Sequence, residues 1–168
     1  MQTDTNMREK CQQYQNEILR DLQTLVNIDS PTGYEPGITQ MQNTITKWLE
    51  KLGADIESIS TPSSGSNIVA TFTGNGTRKM MMLAHADTVF KVGTAAENPF
   101  RAVGDKLYGP GVIDCKGGIV LGIYALRLLQ EKQFKDYAKI TFVINCDEET
   151  GSIQSRDLIM KLAKQHDL

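Results

Sequence analysis

Apolar residues recur at three- and four-residue steps between positions 7 and 27. Cys11, Tyr14, Ile18, Leu22, Leu25 and Val26 share one face there, so the spacing predicts a helix. Ser30-Pro31-Thr32-Gly33 ends it, because proline and glycine interrupt regular structure. A second stripe, Ile38, Met41, Ile45, Trp48, Leu49 and Leu52, predicts a helix that opens near Pro36 and stops at Gly53. Proline is tolerated in a first turn, where its missing N–H would have no partner, and glycine suits the left-handed residue that closes a helix.

The period then shortens. Ile56 to Ser60 and Asn67 to Thr73 read as strands, and Gly74-Asn75-Gly76 as a turn. Met80 to Ala84 is a short apolar run, as expected of a strand covered on both faces, and it stops at His85. Residues 86–111 read as loops with a short edge hairpin around Arg101 to Tyr108. From about Gly117 to Lys132 the residues Ile119, Val120, Leu121, Ile123, Leu126, Leu128 and Leu129 leave almost no polar face, which predicts a central helix. Ile140 to Asn145 is another buried strand, and it runs into Cys146-Asp147-Glu148-Glu149. Ser152 is the expected cap of a last helix carrying Leu158, Ile159 and Leu162. Strands alternating with helices predict an α/β sandwich around a largely parallel sheet. In such sheets ligands gather at the carboxyl ends of strands, and two predicted core strands end on metal-capable residues.

Composition narrows the function classes. The 168 residues suffice for one domain at a prior of ~150 residues each. Eighteen Lys and Arg stand against twenty Asp and Glu, so the basic excess that marks a nucleic-acid surface is missing. No apolar run reaches the ~18 residues of a membrane span, and the start, MQTDTNMREK, carries no secretory signal. Three dispersed cysteines, Cys11, Cys115 and Cys146, do not make a disulfide framework and favour a reducing compartment, hence the cytoplasm.

Three short segments carry the chemistry. In His85-Ala86-Asp87, residues i and i+2 of an extended chain point the same way, and a metal-binding histidine commonly gives its second ring N–H to a carboxylate. The other reading is a histidine satisfied by a loop carbonyl. Asp114 lies among glycines in GPGVIDCKGG, where it could bridge two cations or simply close a turn on its own backbone; Lys116-Gly117-Gly118 before a helix offers a weaker phosphate cradle, since the P-loop spacing is absent. The adjacent side chains of Glu148 and Glu149 diverge, so one could bind a metal while the other faces a bound water, or both could be a solvated loop. Cys115 and Cys146 sit beside these residues and read as small buried hydrophobes or, with His85, as ligands of one structural zinc. His166, the only other histidine, lies in a polar helix end and is expected to be exposed.

Taken in order, HADT at 85–88, YGPGVIDCKGG at 108–118 and NCDEETGS at 145–152 resemble the aminoacylase/carboxypeptidase family of co-catalytic zinc hydrolases. The resemblance runs from SPTG at 30–33 to SRDLI at 155–159, and ENPFRAVGDKLYGPG at 97–111 is most similar to the glutamate carboxypeptidase branch. It implies a three-layer α/β sandwich with a mostly parallel mixed sheet and two zinc ions. His85, Asp114 and Glu149 would be metal ligands, with Asp114 bridging. Asp87 would orient His85, and Glu148 would be the general base acting on a metal-bridging water. A cis peptide bond between Asp114 and Cys115 is also implied. The substrate would be a small peptide or an N-acyl amino acid, with C-terminal glutamate as one candidate. The family protein is about twice this length, so residues 1–168 would be the amino-terminal part of a catalytic domain. A lid and dimerisation domain, the rest of the catalytic domain, a further acidic ligand and a late histidine would be absent. The chain alone would then bind zinc only weakly or in part, would be inactive, and would associate with itself or with a complementary carboxyl-terminal half. The alternative is a catalytically dead remnant that binds a full-length relative.

Overall fold

Two helices stand where the stripe of residues 7–27 predicts one. The computed structural model describes residues 2–168, with side chains from residue 7 onward. Helices α1 (Gln2–Gln13) and α2 (Gln15–Val26) meet at Tyr14. The Tyr14 ring lies under the Arg127 guanidinium, 4.1 Å away, and its hydroxyl donates to Glu131. Leu22, Leu25 and Val26 of α2 are buried, whereas Cys11 on α1 is exposed. Helix α3 (Glu35–Lys51) takes Pro36 in its first turn and buries Ile38, Met41, Ile45 and Leu49 completely.

The main sheet has the order β1-β2-β6-β3, with β1 Asp55–Ser60, β2 Ser66–Thr73, β3 Lys79–His85 and β6 Lys139–Asn145. The α/β class and the mixed sheet stand as expected. Within these four strands the parallel pairing is confined to β3 and β6, and both β1–β2 and β2–β6 are antiparallel. The reason is local: only residues 61–65 separate β1 from β2, a connection long enough for a hairpin and too short for a crossover. Between β3 and β6 run a single turn α4 (Thr94–Glu97), the hairpin β4 (Arg101–Val103) and β5 (Lys106–Tyr108), and helix α5 (Lys116–Glu131). That long connection permits the parallel pair.

Strand β6 is covered on both faces. Ile140, Phe142 and Ile144 join α2, α3 and α5 in the core, while Thr141, Val143 and Asn145 on the opposite face are buried as well. Helix α5 comes close to the sheet at Gly122, where an added Cβ would sit 2.8 Å from the Phe142 ring and 3.0 Å from Met82. Its outer residue Leu121 is exposed, so α5 is covered on most sides rather than all.

Helix α6 (Arg156–Ala163) starts after Ser155, and Ser152 does not cap it. Ser152 adopts a φ of 53° and its hydroxyl accepts from Asn145 instead. His166 is half-buried rather than exposed: its ring nitrogens lie 2.6 Å from the Leu162 carbonyl and 2.9 Å from the Thr141 hydroxyl. Helix α6 with its tail therefore meets the face of β6 opposite the core helices. Among the described residues no helix is long and apolar enough to cross a membrane.

Candidate metal centre

The parallel register of β3 and β6 sets His85 opposite Asn145, the last residue of each strand. The segments that follow, 86–88 and 146–149, therefore leave the sheet side by side. This is why two stretches some sixty residues apart share one site.

His85 is 6% exposed and held from two sides. Its Nδ1 lies 3.0 Å from the Asp87 carbonyl and 3.4 Å from Asp87 Oδ1, so carbonyl and carboxylate share that nitrogen and the carbonyl is nearer. Its Nε2 lies 2.8 Å from Asp114 Oδ1 and 3.8 Å from Glu148 Oε2. Burial pushes the imidazole's pKa down, but the Asp87 and Asp114 carboxylates outweigh it and hold the value up at about 10.

Asp87 is the hub. It is fully buried, and its Oδ2 accepts the Thr32 hydroxyl at 2.6 Å and the Glu149 N–H at 3.1 Å. Its Oδ1 accepts the Glu148 N–H at 3.1 Å. Burial alone would raise its pKa, yet His85, Thr32 and the two backbone donors together bring it below the ordinary carboxylate value. One residue thus holds the imidazole, chiefly through its carbonyl, and through its carboxylate the backbone of both glutamates.

Asp147 organises the turn from the other side. It is fully buried, accepts from Gln154 N at 2.7 Å and Ser155 N at 3.2 Å, and takes the Ser155 hydroxyl. These bonds fold the single 3-10 turn Glu148–Thr150. Glu149 is half-buried there. Burial raises its pKa, Asp114, Asp87 and Glu148 add to the rise, and His85 opposes it.

Asp114 differs from these fixed groups. Its side chain is 71% exposed and sits at the end of the glycine-rich loop before α5, and the Asp114–Cys115 peptide is cis. Lys116, the first residue of α5, has no exposure and donates from Nζ to the Ile28 carbonyl at 2.7 Å. Burial lowers its pKa to about 8, with Asp29 pushing the other way. Sequence reading did not assign roles to Thr32 or Asp147, and considered Lys116 only for a phosphate cradle, whereas its ammonium is buried on the Ile28 carbonyl. Thr32 stands in SPTG and Asp147 heads the acidic run, so both lay within segments already singled out, but their partners are tertiary.

His85, Asp114 and Cys115 each present a donor atom within 4.8 Å of the others. Cys146 is not part of this group. It is buried, its Sγ lies 3.4 Å from Asn67 Oδ1, and burial pushes its thiol up to about 11. The pairing of both cysteines with His85 around one zinc is thereby corrected. An imidazole oriented through its far nitrogen, facing carboxylates whose charge exceeds its own, is a donor set that suits a divalent cation.

Known proteins give the same reading at the level of family. The sequence model described as "Peptidase family M20/M25/M40" matches residues 81–167. The chain is 40% identical over 152 residues to carboxypeptidase G2 of Pseudomonas sp. (strain RS-16), covering 89% of this chain and 37% of that protein. It is 29% identical over 160 residues to the beta-Ala-Xaa dipeptidase of Lactobacillus delbrueckii subsp. lactis, covering 88% and 33%. The fold superposes on the M20 family metallo-carboxypeptidase Sso-CP2 from Sulfolobus solfataricus with a TM-score of 0.76 at 20% identity, covering 90% of this chain and 35% of the other. The chain therefore spans about a third of the length of these relatives, less than the half the resemblance implied. With its core strands, its strand-end histidine and its acidic turn all inside or beside the matched segment, the chain belongs to the peptidase family M20/M25/M40.

Proposed function

We propose that this chain contributes a portion of the catalytic domain of a zinc-dependent hydrolase of amide or peptide bonds, with small peptides or N-acyl amino acids as substrates. The observation that carries the reading is the convergence of Asp114 and Glu148 within 3.8 Å of one His85 nitrogen, with Asp87 bonded to the backbone of both glutamates. His85, Asp114 and Glu149 are the residues that would hold metal. A pair of zinc ions supplies Lewis-acid polarisation of the scissile carbonyl and lowers the pKa of water. Glu148, with its side chain half-exposed, is the group free to move a proton from the attacking water to the leaving nitrogen. Asp87 acts as a positioning residue, fixing His85 and the turn that carries Glu148. The three free thiols agree with a cytoplasmic setting.

Residues 1–168 belong to a larger catalytic unit in this reading, because the relatives are nearly three times as long. The chain alone is then expected to lack normal turnover. The test is coexpression with a complementary chain equivalent to the remainder of the relatives. Zinc-dependent release of C-terminal glutamate should appear with the pair, vanish with Glu148→Gln and return on reverting it. A pair that assembles and binds zinc without hydrolysing any amide bond would overturn the reading. That result would favour the second one, an inert partner of a full-length relative, which would have exposed apolar residues such as Leu83 on β3, 53% exposed, to cover.

A further inference from the structure

We propose that the outer edge of β3 is a docking surface, and that its occupant is an extended, uncharged segment of a complementary chain that adds to the sheet beside Leu83. The inference rests on the reading of residues 1–168 as part of a larger catalytic unit and deepens it by naming the element through which the unit joins.

The four-stranded sheet has two edges, and only one is guarded. At one edge β1 carries Asp55 and Glu57, and charges on an edge strand discourage further pairing. At the other edge stands β3, whose run Met80-Met81-Met82-Leu83-Ala84 holds no polar side chain. Such a run belongs to a strand with neighbours on both sides and cover on both faces. Leu83 is the misfit, exposed beside the buried Ala84.

The main chain shows where the open edge begins. Ala86 N donates to the Asn145 carbonyl, so in this parallel register the even-numbered residues of β3 turn their main-chain groups toward β6 and the odd-numbered ones turn away. Two of the outward residues are already paired. Lys79 N donates to Asp167 Oδ2 at 2.8 Å, Asp167 N to the Lys79 carbonyl at 2.8 Å, and Met81 N to the Leu168 carbonyl oxygen at 2.8 Å. The edge therefore accepts extended chain, and the tail after α6 covers its first half. Leu83 is the next outward residue, and its N–H and C=O have no partner among the described residues. An unpaired donor and acceptor on an apolar edge form a template for an added strand. A second copy fits this template poorly, because each copy would bring its own tail and offer only the short stretch from Leu83 onward. A complementary chain is the better source, since this chain covers 37% and 33% of two curated relatives and most of their length lies outside it. Leu83 lies two positions before His85, so a partner seated there borders the candidate metal centre.

Residue-resolved amide hydrogen exchange is the test, on the full chain alone and coexpressed with the part of carboxypeptidase G2 that follows the segment matched here. Alone, the Leu83 N–H should exchange freely, while those of Met82 and Ala84, turned toward β6, are protected. In the complex the Leu83 N–H should slow at least about tenfold, the mark of a bond formed. Leu83→Pro removes an outward N–H and no bond to β6, a change that edge strands tolerate. The variant should fold, and its association should weaken about tenfold or more, the order of one interfacial acceptor left unpaired. Exchange in the wild-type chain decides the matter even where that variant does not fold. A complex that hydrolyses amide bonds with Leu83 still unprotected would overturn the docking edge and leave the hydrolase reading intact. A complex with Leu83 protected and no hydrolysis would do the reverse. Protection at β1 in place of Leu83 would overturn the proposal, as would no association at all. So would protection in the chain alone that rises with its concentration, the signature of a second copy.

Discussion

Replacing Asp87 with asparagine keeps the size of the side chain and removes its charge and one acceptor. The native carboxylate accepts from Thr32, Glu148 N and Glu149 N, with His85 Nδ1 3.4 Å from Oδ1. An amide has a single oxygen. If its nitrogen takes the Oδ1 position, the Glu148 N–H loses its acceptor. If it takes the Oδ2 position, the Glu149 N–H does. A donor left unsatisfied costs about 1–3 kcal/mol, and each remaining bond falls from the charged class toward the neutral one, a further loss of about 1 kcal/mol each. Relief of the buried charge's desolvation offsets part of this. The expected net destabilisation is about 2–5 kcal/mol.

The assay is urea unfolding in the presence of a chelator, so that metal linkage does not enter. Trp48 is the only tryptophan and lies half-buried against the core, so its fluorescence reports the transition. At the 2–4 °C per kcal/mol typical of a chain this long, the melting temperature should fall by roughly 5–20 °C. Thr32→Val removes one donor and should couple to Asp87→Asn in a double-mutant cycle, because both act on Oδ2. A variant within about 0.5 kcal/mol of wild type, the range of ordinary surface changes, would refute the claim that Asp87 organises these loops.

Three other outcomes follow from the same structure. Asp114→Asn should cost less than about 1 kcal/mol of stability, since the side chain is mostly exposed with one contact, yet calorimetry should show zinc affinity reduced. Gly37→Ala should destabilise by about 1–3 kcal/mol or more in scanning calorimetry, because the added Cβ meets the Asp29 carbonyl oxygen at 1.8 Å and backbone cannot step aside. Val89, Phe90, Val92, Ile113 and Ile153 are exposed on the loops around the site, so the chain should bind an apolar dye and self-associate by light scattering, and Val92→Glu with Ile113→Glu should reduce both.

The elements are legible where one periodicity dominates. The stripe Ile38, Met41, Ile45 and Leu49 marks α3 nearly to the residue, and the apolar runs before His85 and Cys146 mark β3 and β6. Pairing direction is not legible, because it depends on connection lengths and neighbours rather than on side-chain pattern. The capping serine is misassigned for a similar reason: Ser152 and Ser155 look alike in sequence, and the buried carboxylate of Asp147 decides which is drawn inward. His166 looks exposed beside Lys164, Gln165 and Asp167, and only the fold brings Thr141 to it. The candidate site residues stand out because each closes a core strand or sits among glycines. Their clamps do not, since Thr32 lies 55 positions from Asp87 in the chain.

These contacts divide the site into a fixed side and a movable side. The ends of β3 and β6 are locked in register, and Asp87 ties His85 to the turn that follows β6, so the imidazole and the glutamate backbone cannot shift independently. Across from them, α5 is pinned at its first residue by Lys116, which leaves the Asp114 side chain as the component with room to turn. A cation entering between His85 and Asp114 must widen a 2.8 Å contact, and the group that yields is the exposed aspartate rather than the buried histidine. Within the His85–Asp114 pair the cost of closing such a site therefore falls on one short side chain, since His85 is held by bonds internal to this chain. That predicts similar zinc association for the wild-type chain and for a variant stiffened elsewhere in the core. It also predicts a marked loss when Asp114 is lengthened to glutamate, whose extra methylene misplaces the one donor that has to move.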